Sequence, residues 1–309
     1  MIKEQIRLFC PATIANISCG FDVLGLALDS IGDEMVLRKV SSPGIKITGI
    51  TGQDLPLETD KNVAGVAGMA MIKALEYKEG FEIEIHKKIK PGSGIGSSAA
   101  SAAGVVWGMN QLMGSPCSDH QLVQFAMEGE KLASGSAHAD NVAPAIYGGI
   151  TLVRSSSPLD IIRINSPELL YASVIHPHIE IKTSDSRKIL KTSISLADGI
   201  KQWGNLGALI AGLFKEDYAL ISRSLEDHII EPVRSILIPG FDDIKKAALA
   251  AGALGCGISG SGPSIFALSK GGDKATEVAK AMSLELSKIK LNHDTYVSVI
   301  NTKGIYILP

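Results

Sequence analysis

Apolar and polar positions along the chain follow two rhythms, one of period two and one of three to four, which sort it into strands and helices. Residues 5–9 and 34–40 read as strands, and 45–50 places Ile45 and Ile47 on one face between Pro-Gly and Gly turn signals. A helix over 60–77 follows, with Asp60 as its N-cap and Val63, Val66, Ala67, Ala70 and Met71 at helical spacing. Residues 81–89 alternate Phe81, Ile83 and Ile85 with Glu82, Glu84 and His86, the pattern of a half-buried strand. The alanine-rich stretch 99–113 predicts a buried helix, and 118–134 a second with Asp119 and Gln121 near its start. Strands are expected at 149–154, 161–164 and 170–175, and Ser155-Ser156-Ser157-Pro158 marks a seam dividing the chain into domains 1–155 and 156–309. Beyond the seam, helices at 185–191, 206–214, 217–225, 242–251 and 273–288 alternate with strands at 264–269, 295–300 and 305–308. Strands with polar faces predict an α+β architecture with antiparallel sheets rather than a doubly wound parallel sheet.

Composition narrows the function. With 30 Lys and Arg against 32 Asp and Glu, the net charge of -2 removes the electrostatic case for nucleic acid or an anionic membrane as partner. The N-terminal MIKEQIRLF shows no secretory signal, so a cytoplasmic location is expected. Cys10, Cys19, Cys117 and Cys256 are scattered without a C-x-x-C pair, and read as small buried apolar residues rather than metal ligands or disulfide partners. His176 and His178 lack further ligands at usable spacing, which argues against a metal pair. Many of the 32 glycines fall in two uncharged tracts, 91–118 and 247–269, and both are too broken by glycine and proline to span a membrane.

The first tract, Pro91-Gly-Ser-Gly-Ile-Gly-Ser-Ser98, sits between an expected strand and an expected helix. Glycines there let backbone N–H groups converge on an anion, the helix N-terminus adds partial positive charge, and Ser97 and Ser98 offer hydroxyls. The reading is a phosphate cradle. It lacks the Lys of a Walker A loop, and its loose G-x-G-x-x-A pattern is not followed by the strand and acidic residue of a dinucleotide site. The second tract contains a literal G-x-G-x-x-G from Gly255 to Gly260, but it leads from a helix into a strand, the reverse of dinucleotide order. It reads either as a loop approaching a ligand or as tight packing. A third segment, 11–28, carries Asn16 and Asp22 among glycines and reads as a loop.

These three segments, in this order, resemble the GHMP kinase family. Pro91 to Ala99 looks like its phosphate loop with Ile95 in the Leu position, 11–28 like its substrate-side segment, and 257–264 like its C-terminal glycine loop. Within the family, Pro11-Ala-Thr-Ile-Ala-Asn-Ile-Ser-Cys-Gly-Phe-Asp-Val-Leu-Gly, Glu130 with Gly135-Ser-Ala-His-Ala-Asp-Asn-Val-Ala-Pro, Thr183 with Arg187, and Glu231-Pro-Val-Arg234 resemble the branch acting on homoserine. The resemblance implies an N-terminal domain like domain 2 of ribosomal protein S5, a C-terminal ferredoxin-like domain, and phosphorylation of the L-homoserine hydroxyl by ATP with Mg2+. Its expected ATP-binding residues are Asn62, Val63, Pro91, Gly92, Ser93, Gly94, Ile95, Gly96, Ser97, Ser98, Ala99, Ala100 and Ser101, with Mg2+ on Ser98 and Glu130. Its expected substrate residues are Asn16, Asp22, His138, Asp140, Thr183, Arg187, Arg234 and Gly260. Arg187 and Arg234 suit the substrate carboxylate, while Asn16, Asp22 and Asp140 suit its ammonium. Asp140 is expected either to bind the ammonium or to act as base, the former being favoured, and Asn141 to orient the hydroxyl. A homodimer is the expected assembly. A kinase for another small alcohol such as mevalonate, a catalytically silent binding protein and a dinucleotide-dependent oxidoreductase are the competing readings.

Overall fold

The computed structural model describes residues 4–135 and 138–309; residues 1–3, and Ser136 and Ala137 of the expected substrate segment, lie outside the described residues. The first half of the chain forms β1 (Gln5–Ala15), β2 (Leu24–Val40), β3 (Gly44–Thr51), α1 (Val63–Ala74), β4 (Gly80–His86), α2 (Ser97–Leu112), α3 (Asp119–Ser134), α4 (Val142–Tyr147), β5 (Ile150–Ser156) and β6 (Leu159–Ile164). The second forms β7 (Leu170–Pro177), α5 (Thr183–Lys188), α6 (Leu196–Lys215), α7 (Tyr218–Ser224), α8 (Glu231–Arg234), α9 (Phe241–Ala250), β8 (Gly255–Ile258), β9 (Ile265–Lys270), α10 (Gly272–Lys288), β10 (His293–Val299) and β11 (Tyr306–Ile307). Among the described residues no helix is long and apolar enough to cross a membrane.

The first sheet has the order β11-β1-β2-β4-β3, and β5 and β6 join it through β2. Strand β2 is its axis: residues 34–40 pair with β4, and Leu24, Gly25 and Leu26 pair with β5. All pairings are antiparallel except β3 with β4, which run parallel with α1 as their crossover. The second sheet has the order β10-β7-β9-β8, all antiparallel. Its strand succession, with α9 and α10 in the two crossovers, is the β-α-β-β-α-β chain of a ferredoxin-like unit. Ser298 ties the two sheets, its Oγ accepting the backbone N–H groups of Asp29 and Ser30 at 2.8 and 3.0 Å.

Helix α2 is the centre of the larger core. Nearly all of its residues are buried, which is possible because they are mostly Ala, Gly and Ser. A Cβ on Gly104 would lie 2.5 Å from Cys10 Sγ, and one on Gly108 2.7 Å from Leu8 Cδ1, so these glycines set how closely α2 lies on β1. A second core, including Ile175, Phe241, Ile244, Ile265, Val278, Met282 and Leu286, holds α9 and α10 on the second sheet. All four cysteines are buried free thiols, and burial pushes the Cys19 and Cys256 thiols up to about 12.

Several expected elements shift. Residues 11–28 do not form one loop: β1 runs on to Ala15, β2 begins at Leu24, and only 16–23 connect them. Gly25, which suggests a break in the sequence, is instead a close approach, since a Cβ there would sit 1.8 Å from the Asp140 carbonyl oxygen. The second glycine tract contains a strand, β8, that pairs with β9. The seam at 155 falls inside β5, which forms a hairpin with β6 in the first sheet, and the chain changes sheets only between β6 and β7. Asp60 does not cap α1; it lies in a 3-10 turn, and Asn62 caps the helix by accepting the Ala64 N–H at 3.0 Å and the Gly65 N–H at 3.5 Å. Its amide also donates to the Pro56 carbonyl at 2.8 Å. Asn62→Ala is expected to cost about 1–2 kcal/mol in urea denaturation, with Asp60→Ala near neutral by the same measurement.

Candidate active site

A cleft of about 570 Å3 opens between the two halves of the molecule and gathers the three singled-out segments. At one end, Gly92, Gly94 and Gly96 take positive φ values of 71, 82 and 71°, so the chain from Pro91 curls into the first turn of α2. Ser97 and Ser98 open the helix, where its unpaired N–H groups and dipole face the cleft. No alanine fits the turn: a Cβ on Gly96 would lie 2.0 Å from Thr13 Oγ1, and one on Gly94 2.6 Å from the Gly262 carbonyl oxygen. The second tract therefore packs against the first. Ser259 Oγ donates to the Gly94 carbonyl at 2.7 Å, and the Ser264 N–H to the Ser93 carbonyl at 3.2 Å.

Of the expected nucleotide residues, Asn62, Val63, Pro91, Gly92, Ser93, Gly94, Gly96, Ser97, Ser98 and Ser101 line the cleft. Ile95, Ala99 and Ala100 do not; their side chains are buried in the α2 core and hold the loop from behind. Glu130, on α3, is buried and hydrogen-bonds Ser98. Burial pushes its carboxyl up to about 7, against the opposing pull of the Ser98 bond and the Lys87 charge. A carboxylate and a hydroxyl meeting beside a phosphate cradle are the hard oxygen donors that a magnesium ion takes, so the pair fits that ion.

The other end of the cleft is built from charged groups. Asp22 accepts both arms of the Arg187 guanidinium, at 3.1 and 2.6 Å. Arg234 is buried, donating through Nε to the Ser186 carbonyl at 3.2 Å and through Nη1 to the Gly260 carbonyl at 3.1 Å. Burial, then the nearby Arg187 charge, brings its guanidinium down to about 10. Both guanidinium groups lie over the Phe21 ring, at 5.4 and 5.0 Å from its centroid. Asn16 lines the cleft and also pins its wall: its amide donates to the Gly260 carbonyl at 2.8 Å, and its Oδ1 accepts the Asp22 N–H at 3.0 Å. That pins a loop in which Asn16, Ile17, Ser18 and Asp22 all take left-handed φ angles of 74, 40, 61 and 61°, a conformation that costs free energy and is kept where a site requires it.

Asp140 completes the wall. It is buried, its Oδ1 has no hydrogen-bond partner among the described residues, and burial followed by the Asp22 charge pushes its carboxyl up to about 7. Its neighbour Asn141 accepts a hydrogen bond from Thr13 Oγ1 at 2.8 Å beside the phosphate loop. His138 Nδ1 lies 3.8 Å from Asp22, and burial lowers its pKa. Thr183, at the start of α5, meets Ser261 at 3.3 Å across the cleft mouth.

Lys87, Phe21 and Lys182 line the cleft without having been singled out from the sequence. Lys87 is buried and pairs with buried Asp33, while donating to the Ser97 carbonyl at 2.8 Å and Ser101 Oγ at 3.1 Å. Asp33 in turn accepts the N–H groups of Lys88 and Ile89 at 2.7 and 2.9 Å. This pair fastens β4, the phosphate loop and the first turn of α2 together. The only sequence signal was a lysine ending an alternating strand.

Comparisons with known proteins bear on the family and the overall fold. The GHMP kinase N-terminal domain model matches residues 62–149, and the C-terminal model matches 209–288. A homoserine kinase of Chlorobium phaeobacteroides is 47% identical over 99% of this chain and 100% of its own, and one of Chloroherpeton thalassium is 48% identical with the same coverage. A crystal structure of homoserine kinase from Cytophaga hutchinsonii superposes with a TM-score of 0.96 at 52% identity, covering 100% of this chain and 98% of that one. A mevalonate kinase from L. major in complex with R-mevalonate shares the fold at TM-score 0.71 and 16% identity, over 97% of this chain and 98% of its own.

Two outcomes follow from the electrostatics. Lys87→Met is expected to lose about 3–5 kcal/mol in chemical denaturation because Asp33 is left charged and buried, with Asp33→Asn in the same chain recovering part of it. Glu130 and Asp140 both have folded pKa values raised to about 7, so the stability they contribute is present below about pH 4 and lost as pH rises through 7. Asp140→Asn should accordingly raise the melting temperature by roughly 2–6 °C at pH 8 and leave it nearly unchanged at pH 4, read by thermal scans at both values. With its matching domain models, phosphate loop and full-length homoserine kinase relatives, the chain belongs to the GHMP kinase family.

Proposed function

We propose that this chain transfers the γ-phosphoryl group of ATP to the side-chain hydroxyl of L-homoserine, giving O-phospho-L-homoserine for threonine synthesis. The observation that carries this reading is the pairing of opposite charges at the substrate end of the cleft, with Asp22 and Asp140 beside Arg187 and Arg234. Homoserine is a zwitterion and needs both signs side by side. Mevalonate has a carboxylate and no ammonium, so buried Asp140, whose Oδ1 has no hydrogen-bond partner among the described residues, would go unmatched beside it. The full-length relatives named as homoserine kinases support the same substrate.

Each group has a role its surroundings suit. The N–H groups of the phosphate loop and of the first turn of α2 take the ATP phosphates. Ser98 and Glu130 would hold a magnesium ion, which supplies charge neutralisation at the β- and γ-phosphates. Lys87 fixes the Ser97 carbonyl and the Ser101 hydroxyl, and so holds the cradle in shape. Arg187 and Arg234 take the substrate carboxylate, Arg187 exchanging part of its contact with Asp22. Asp140 takes the ammonium: its Oδ1 has no hydrogen-bond partner among the described residues and its pKa is raised, so a bound cation would both satisfy the oxygen and favour its charged form. Asn141, beside Thr13 and the loop, orients the hydroxyl toward the phosphate. Phosphoryl transfer depends mainly on positioning and charge stabilisation, which leaves Asp140 free to be a binding group rather than a base.

Steady-state kinetics of Asp140→Asn separate the two roles. The expected result is a rise of roughly 10²-fold in KM for homoserine with turnover at saturation within about threefold of the parent. A turnover drop of more than about 10²-fold at unchanged KM would instead make Asp140 the base.

A further inference from the structure

Asn141 stands at the N-cap of α4 and does not cap it. An asparagine in that place normally accepts an N–H of the first helical turn through its side chain, and Asn141 makes no such bond. Its Oδ1 instead accepts the hydroxyl of Thr13 on β1 at 2.8 Å. A helix cap given up for a distant partner costs stability, an exchange found where a side chain is needed for function.

Thr13 is placed to impose that choice. It is fully buried, its N–H donates to the Ile95 carbonyl at 3.1 Å, and its Oγ1 lies where a Cβ on Gly96 would come within 2.0 Å of it. The same Cβ would lie 3.2 Å from Asn141 Oδ1. One threonine thus touches the back of the phosphate loop and holds the oxygen end of the Asn141 amide. A side-chain amide has an acceptor oxygen and a donor NH2 on opposite sides of one plane. With the oxygen fixed against the wall, Asn141, which lines the cleft, turns its NH2 toward the reacting groups.

We infer that Thr13 is the positioning residue of Asn141, selecting which end of the amide faces the cleft, so that Asn141 acts there as a hydrogen-bond donor. A donor suits the negative charge carried by oxygens around the transferring phosphoryl group, and it can hold the alcohol oxygen by one lone pair while another faces phosphorus. The carbonyl end would do neither. The inference rests on the proposed phosphoryl transfer and is independent of which alcohol accepts it.

Steady-state kinetics at pH 8 test it, with circular dichroism as the check on folding. Thr13→Val keeps the side-chain shape and removes the hydroxyl; turnover should fall roughly 10- to 100-fold with KM for homoserine and for ATP within about threefold of the parent. Thr13→Ser should restore turnover to within about threefold of the parent. Asn141→Ala should lose roughly 10²- to 10³-fold, and adding Thr13→Val to it should change turnover by no more than about threefold, because Thr13 acts through the amide. A threonine that merely props up the loop would slow the Asn141→Ala background by the same factor as the parent. Asn141→Asp keeps an oxygen for Thr13 and loses the NH2, so it should be as slow as Asn141→Ala, a result that needs no change at Thr13. Parental turnover in folded Thr13→Val or folded Asn141→Asp, or multiplying losses in the double variant, overturns the inference. A parent silent with homoserine and active on mevalonate would refute the substrate alone, and the same set of variants assayed on mevalonate then decides the role of Thr13.

Discussion

The site depends on one backbone contact, in which the glycine loop after β8 presses against the phosphate loop before α2. Ser259 Oγ reaches the Gly94 carbonyl and the Ser264 N–H reaches the Ser93 carbonyl, so peptide groups from the two halves of the chain are hydrogen-bonded directly. A side chain at Gly94 would break this approach, since its Cβ would sit 2.6 Å from the Gly262 carbonyl oxygen, and one at Gly260 would crowd the Gly94 carbonyl oxygen at 3.0 Å. The same loop receives Asn16 and Arg234 on the Gly260 carbonyl. The phosphate end and the substrate end are thereby held at one fixed separation, and fixed separation is the main thing a phosphoryl transfer asks of its protein.

Around that contact the charges are arranged by how well each is satisfied within the chain. Lys87 and Asp33 neutralise one another, and each has further hydrogen-bond partners, so they serve as structure. Asp140 is buried with an oxygen that has no hydrogen-bond partner among the described residues, and it is held partly protonated near neutral pH. A buried group left in that condition lowers the stability of the free protein and is stabilised by a cationic ligand, the usual exchange of stability for function at a binding site. Arg187 and Asp22 lie between these cases, paired with each other yet partly exposed to the cleft.

Much of this was legible in the sequence where local chemistry decides it. The phosphate loop, the alanine-rich α2, the N-terminal helices and the charged substrate residues follow from glycine spacing, small-residue runs and residue type. What was not legible depends on distant partners. Gly25 reads as a breaker until the Asp140 carbonyl is seen against it, and the true cap Asn62 is hidden by the equally suitable Asp60 two residues earlier. Lys87 looks like any strand-end lysine because its partner Asp33 is on a neighbouring strand. Ile95, Ala99 and Ala100 belong to the loop's sequence pattern, yet the helical turn points them into the core.

The central claim is that one cleft holds the ATP phosphates at the α2 N-terminus and a zwitterionic alcohol between the aspartates and arginines. A crystal structure of the protein with L-homoserine and a non-hydrolysable ATP analogue measures it most directly. The account predicts the γ-phosphate against the loop at Gly94 to Ser98, the homoserine carboxylate on Arg187 and Arg234, its ammonium within hydrogen-bond reach of Asp140, and its hydroxyl facing the phosphate beside Asn141. Homoserine bound with its ammonium away from Asp140 and Asp22, or phosphates lodged away from the α2 N-terminus, would contradict it.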